Sequence, residues 1–259
     1  MIREKRIELT ERDKNFLAFL HNYKVLNTAL ICQFFFNNCH IKNAKKRINK
    51  LRKYGYIRSH LYTNNKGIEE RAYFLDKKGI DLVRHDSEEN WMRREFESGK
   101  INHDLALAVI GEKLRSCEQV TEYQTENILR SFRPYQENSR YSGFSRMRSD
   151  AMMAVNHSET EFLVAVEYEA NVKDDQRWEE KLRNYHSEPS ISAVFYICET
   201  ERIKNKLEQI ELKIWHKTGI KLYTILNKEV ISSKDIIQFK NPEGKISKLN
   251  LPQMMGGPP

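Results

Sequence analysis

No stretch of this 259-residue chain approaches the ~20 apolar residues that a membrane-spanning helix needs. The opening MIREKRIELT is charged and lacks the apolar core of a signal peptide. The four cysteines, Cys32, Cys39, Cys117 and Cys198, contain no CxxC pair, so neither a zinc site nor a disulfide frame is expected. Among eight histidines there is no HxH pair. No GxxxxGKS/T phosphate loop and no GxSxG nucleophile elbow is present. These absences lead us to expect a soluble, cytoplasmic protein with reduced thiols and no membrane partner.

Positive charge is plentiful but lopsided. Residues 1–85 hold 19 Lys and Arg against 8 Asp and Glu, and the remainder holds 25 against 28. A basic first third ahead of a slightly acidic body suggests a module for a polyanion, most simply DNA. Thr10 followed by Asp13 has capping-box spacing, and Phe16, Leu17, Phe19 and Leu20 follow on the helix it opens. A second short helix begins near Asn27. A third is expected from Lys42 to Tyr54, where Ala44, Ile48, Leu51 and Tyr54 form one stripe. Lys42, Lys45, Lys46, Arg47, Asn49, Lys50, Arg52 and Lys53 occupy its other faces, and Gly55 ends it. YIRSHLY, a TNNKG turn carrying Lys66, and RAYFL read as a β-hairpin. Three helices and a basic hairpin predict a winged helix-turn-helix over residues 1–85, with the third helix as reader. The plain alternative, a solvated surface helix, is disfavoured because few acids interleave. Such charge attracts phosphate without sequence preference.

Residues 86–98 read as a polar connector. Asn102 is the expected cap of HDLALAVIGEKLRS. His103 falls on the side of Ala106, Leu107, Ile110 and Leu114, and so faces the sheet or the site; a satisfied interior histidine is the equal alternative. VTEYQTENIL is the first strand. The segment Ser131–Arg148, rich in arginine and aromatic rings, reads as a long loop. Its arginines, Arg146 and Arg148 among them, suit phosphates, and its rings suit stacking on single-stranded bases. Farther on, QRWEEKLRNYH presents a stripe of Trp178, Leu182 and Tyr185 with Lys181 inside it. ISAVFYIC is an apolar strand of the kind buried on both faces. A helix from about 201 to 217 and the strand KLYTIL follow. Residues 99–232 thus read α-β-β-β-α-β-α-β, an α/β (α+β) layer with helices over a mixed sheet. Residues 233–259 lack periodicity and are expected to be a flexible tail, available to other proteins.

The chemistry gathers between Arg146 and His186. Asp150 opens the apolar run DAMMAV, a turn NHSET follows, and FLVAVEYE ends in Glu167 and Glu169. Side chains alternate along a strand, so Glu167 and Glu169 share a face. Paired as a hairpin, the two runs bring Asp150 beside Glu167. Two convergent carboxylates are hard ligands for Mg²⁺ or Mn²⁺.

An acid at a strand start followed by an acid-x-lysine triplet on the next strand is the pattern of the PD-(D/E)xK nucleases, which this stretch resembles. Here the triplet is Glu167-Tyr168-Glu169, without the lysine. More narrowly, SDAMMAV, FLVAVEYEAN and EEKLRNY resemble the replication-relaxation family and the related MOBC-class plasmid relaxases. The resemblance implies a restriction-endonuclease-like domain behind the winged helix. It implies Asp150 and Glu167 as metal ligands, Glu169 as an accessory acid, and His103 at the site. Lys181 is the best substitute for the missing lysine and Lys173 the second. Tyr185 beside His186 invites a tyrosine nucleophile, but Tyr185 fits its apolar stripe better. The expected function is metal-dependent nicking of DNA at a plasmid or mobile-element origin, in duplex and single-stranded form, with mobilisation proteins as possible tail partners. The alternative is a non-catalytic replication or transcription regulator with a relict nuclease domain.

Overall fold

The computed structural model describes residues 7–37, 39–84, 91, 98–214, 219 and 221–252. Helix α1 (Glu11–Tyr23) starts on the expected capping box: Asp13 N–H donates to Thr10 Oγ1, and Thr10 N–H donates to Asp13 Oδ2 at 2.8 Å. After the short strand β1 (Leu26–Asn27), Asn27 caps α2 (Thr28–Phe35) by accepting from Leu30 N at 2.9 Å. Helix α3 (Ile41–Lys53) buries Ala44, Ile48 and Leu51, the stripe read from the sequence. Strands β2 (Ile57–Thr63) and β3 (Glu69–Leu75) form the expected hairpin, and β1 joins it in a three-stranded antiparallel sheet of order β1-β3-β2. Gly55 follows α3 at φ +77°, a conformation glycine adopts without steric cost. Helix α4 (Lys77–Arg84) comes next, and in it a Cβ on Gly79 would sit 2.2 Å from Tyr56 O, so only glycine lets helix and strand meet.

Two compact units make up the chain, Met1–Ala108 and Val109–Pro259. This division falls ten residues after residue 98, where the sequence places the end of the connector. Helix α5 (Ile101–Arg115) is shared between the units, because Ile101 and Leu105 cluster with Val25, Ala72 and Phe74. Asn102 is not its cap; it lies inside the helix and donates to Thr63 O. Most of the expected connector, 86–98, lies outside the described residues. Trp91, within it, meets His21 edge-on.

The second unit is built on a seven-stranded mixed sheet. Strand β4 (Val120–Thr125) is shorter than expected, because the chain turns into α6 (Glu126–Ser131). Helices α7 (Arg133–Glu137) and α8 (Ser139–Met147) then occupy the segment expected to be a loop. Its aromatic side chains are held among themselves: Tyr135 and Tyr141 pack edge to face, and Phe144 is buried. Strands β5 (Ala151–His157) and β6 (Thr160–Glu169) form a hairpin, closed by Ser158 and Glu159, both at positive φ as a two-residue hairpin turn of the primed kind demands. Helix α9 (Asp175–Ser187) crosses to β7 (Ala193–Cys198), and α10 (Glu201–Ile214) to β8 (Leu222–Leu226). Both crossovers join parallel neighbours. Helix α11 (Asn227–Ser232) leads to β9 (Ile236–Lys240) and β10 (Ile246–Asn250).

The stretch expected to be a flexible tail therefore supplies two strands, in the order β10-β9-β8-β7-β6-β5-β4. Alternation had been too short to read there, yet Ile237, Phe239, Leu249 and Leu251 are buried. Residues 253–259 of that tail lie outside the described ones. Helices α6, α8, α9 and α10 cover one face of the sheet through Leu129, Phe144, Trp178, Leu182, Ile203 and Leu207, packed on Met152, Ala165, Val194 and Tyr196. No helix among the described residues is long and apolar enough to cross a membrane.

Candidate active site

Pairing of Ala151 with Val166 places Asp150 and Glu167 next to each other at one end of the β5–β6 hairpin. They stand in the middle strands of the sheet, at the carboxyl end of β6, rather than on a lateral edge. Asp150 is fixed from the neighbouring strand: Tyr168 N–H donates to its Oδ2 at 2.8 Å. Glu167 and Glu169 point to the helix-covered face and are almost fully buried. Tyr168 points the other way, its hydroxyl donating to Glu199 at 2.8 Å.

The strand that lacks a lysine receives one from α9. Lys181 Nζ lies 2.6 Å from Glu167 Oε2. One turn later, the buried Tyr185 hydroxyl donates to Glu167 Oε1 and lies 2.8 Å from the buried Ser149 Oγ. Burial pushes the Glu167 carboxyl up to about 7; Lys181 pulls it down, and the charge of Asp150 pushes it up again. Burial works against the Lys181 ammonium too, but Glu167, Asp150 and Glu169 outweigh it and raise its pKa. Lys173, the second-choice lysine, pairs instead with Glu169.

His103, on α5, has Nδ1 3.3 Å from Asp104 Oδ1. Arg146 pairs with Glu188 through Nη2, while its side chain stays exposed. Arg148 is exposed in the left-handed conformation at the end of α8. On α3, Lys42, Lys45, Lys46, Asn49, Lys50 and Lys53 are exposed, as is Lys66 in the β2–β3 turn. Arg47 is held within the unit: its Nε donates to Asp13 Oδ1 at 3.0 Å and its Nη2 to Glu8 O at 2.8 Å. It ties α3 to the start of α1.

Sequence reasoning missed Tyr185 as a member of the site, having assigned it to the apolar stripe. It belongs to both: the ring is buried and the hydroxyl needs a partner. The signal was its position four residues after Lys181, on the same helix face. Tyr196 was also missed. It is the register partner of Glu167 on β7, and its hydroxyl is fully buried without a hydrogen-bond partner.

A divalent cation fits this donor set in kind. Asp150 and Glu167 supply hard oxygens, and each carboxylate oxygen keeps lone pairs beyond its present hydrogen bond. The like charges press on one another, which a cation relieves. The set is sparse: among the described residues no three His, Cys, Asp or Glu side chains converge as a metal site. An ion there would keep water in its shell, as Mg²⁺ does.

The replication-relaxation family model matches residues 17–188. No curated protein matches the chain. Two solved structures of the restriction endonuclease FokI, one of them bound to DNA, are distantly similar, each at 12% identity, with TM-scores of 0.33 and 0.27. Each comparison covers 87% of this chain and 45% of the FokI chain, so this chain spans less than half the length of that enzyme. The family match takes in the hairpin with both acids and α9 with Lys181 and Tyr185: the chain belongs to the replication-relaxation family.

Proposed function

We propose that the chain is a metal-dependent DNA-nicking enzyme of the relaxase kind, acting at the origin of a plasmid or mobile element. The observation that carries this reading is Lys181 Nζ at 2.6 Å from Glu167, beside Asp150. A strand that has lost the lysine of its triplet has an ammonium delivered to the same carboxylate from the following helix. Family membership supports a DNA-related role. The N-terminal unit is read as a winged helix, with α3 on the duplex and the β2–β3 turn as the wing.

In this reading Asp150 and Glu167 would hold Mg²⁺ or Mn²⁺, and the ion would supply Lewis acidity and activate water. Lys181 faces the scissile phosphate and stabilises the charge that grows on it. Tyr185 holds Glu167 by Oε1, so that Oε2 stays turned to Lys181. Glu169, paired with Lys173, lies on the same face, and its charge helps to keep the Lys181 ammonium protonated.

A second reading has one observation in its favour. Both oxygens of Glu167 already accept protein donors, as in a closed ion pair that has replaced a metal site. The protein would then be a DNA-binding replication or transcription regulator. Incubation with supercoiled plasmid bearing the element's own origin decides between them. Nicking with Mg²⁺ or Mn²⁺, abolished by EDTA, is expected; duplex binding without any nicking supports the regulator.

A further inference from the structure

A cavity of about 440 Å³ opens on the other face of the sheet, at the end away from the acids. Its size is that of a small-ligand pocket, for which roughly 300–1,000 Å³ is usual. The position follows from alternation. Val155, Phe162 and Val164 line it and point opposite to Glu167, and Phe162 lies five residues before Glu167 on β6. Buried Phe195 and half-buried Tyr223 form the floor, with ring centroids 5.6 Å apart. Phe162 stands at the wall, 39% exposed.

The opposite wall is β10, from the stretch whose order the sequence did not reveal. It is held in place from the far edge of the sheet: Glu118 N donates to Asn250 O at 2.9 Å, and Asn250 N to Gln119 Oε1 at 2.8 Å. β10 contributes Lys248, whose side chain is exposed at the rim, and His157 stands on the hairpin end. Among the described residues that line the cavity none is Asp or Glu, although the chain beyond residue 85 carries more acids than bases. Ser192 and Asn156 add neutral hydrogen-bonding groups.

We propose that this cavity binds a nucleotide unit, its base among Phe162, Phe195 and Tyr223 and its phosphate toward Lys248. Aromatic rings stack on any base, and a lysine in a lining without acids among the described residues favours an anion. An apolar guest would not call for Lys248 and His157, and a cationic guest would be repelled by Lys248. The nucleotide is either free or part of a single strand of DNA. In the Ser131–Arg148 segment, the sequence's own candidate for stacking on a strand, Tyr135 and Tyr141 pack edge to face and Phe144 is buried. The proposal does not depend on whether the acid cluster cuts DNA.

The test uses the full chain carrying Lys46→Glu and Lys50→Glu, which removes positive charge from α3. Two probes are titrated: a fluorescent 12-nucleotide thymidylate strand, followed by anisotropy, and adenosine monophosphate, followed by calorimetry. At least one probe is expected to bind. Phe162→Ala is expected to weaken it about tenfold, within the range for losing one stacking ring, and Lys248→Glu by about as much through lost attraction to the phosphate. Both side chains are exposed enough for the fold to survive, and Ser192→Trp, which fills the cavity without changing charge, is expected to act likewise. Saturable binding of adenosine monophosphate identifies a free nucleotide. Binding of the strand alone identifies single-stranded DNA. Binding of neither probe, or equal affinity across all three variants, overturns the proposal.

Discussion

Burial sets the protonation of Glu167, and Lys181 answers it. A carboxylate this deep ionises only with a partner, so the two residues act as one unit. Lys181→Met is expected to lower nicking about 10²–10³-fold, the loss typical when one transition-state donor is removed. It also strands a buried acid, costing roughly 1–3 kcal/mol. Adding Glu167→Gln should restore the thermal midpoint but not the activity; a single mutant that nicks at the wild-type rate removes Lys181 from the site. A second titrating group lies elsewhere. His21 is buried, and burial first, then Arg84, push it down from the ordinary 6.5 to about 3. The folded chain keeps His21 neutral while the unfolded chain takes up a proton. Stability from this group is therefore full above about 6.5 and lost as pH falls toward about 3. Urea midpoints measured across that window should fall by the equivalent of a few kcal/mol, and His21→Phe should flatten the fall.

At the scale of elements, α3 does two jobs with residues of one charge. Lys46 and Lys50 are exposed, whereas Arg47 is turned inward onto Asp13. Asp13 is held below the usual carboxylate range: burial would raise it, but hydrogen bonds from Arg47 and Thr10 prevail. Lys46→Glu with Lys50→Glu is expected to abolish duplex binding and leave the melting temperature unchanged. Arg47→Ala is expected to do the reverse in emphasis. It leaves a buried carboxylate and the α1 cap short of a partner, at about 3 kcal/mol, and affinity falls only in step with the folded fraction. Equal melting curves for the two variants would place Arg47 back among the DNA contacts.

At the scale of the molecule, binding and cutting are assigned to different units of the chain. Duplex affinity, carried by lysines, should fall steeply with salt, and the acid cluster should not matter to it. Asp150→Ala is expected to abolish nicking and Mn²⁺ binding by calorimetry while duplex affinity stays within a factor of two or so, as for a change that leaves the α3 lysines in place. Equal Mn²⁺ binding by wild type and variant would move the metal away from Asp150.

How much of this was legible depends on how far apart in the chain the cause and the effect lie. Period-two alternation around a short turn is local, so the hairpin that sets Asp150 beside Glu167 could be read directly, as could the apolar stripe of α3 and the place of Lys181 on α9. Which arginine meets an acid is a long-range matter. Arg47 and Asp13 lie 34 residues apart, and Arg146 and Glu188 lie 42 apart, so neither ion pair shows in the local pattern. Helices α6 to α8 carry too little periodicity each to announce themselves, and they are held by packing on the sheet. Strands β9 and β10 are five residues each, and a strand that short is stable only where a neighbour offers hydrogen bonds. The sequence determined the residues of the acid cluster and their spacing. Only the tertiary structure decided which charges remain exposed, that the Tyr185 hydroxyl turns to Glu167, and that the chain's end closes a cavity, because each depends on partners the local pattern does not contain.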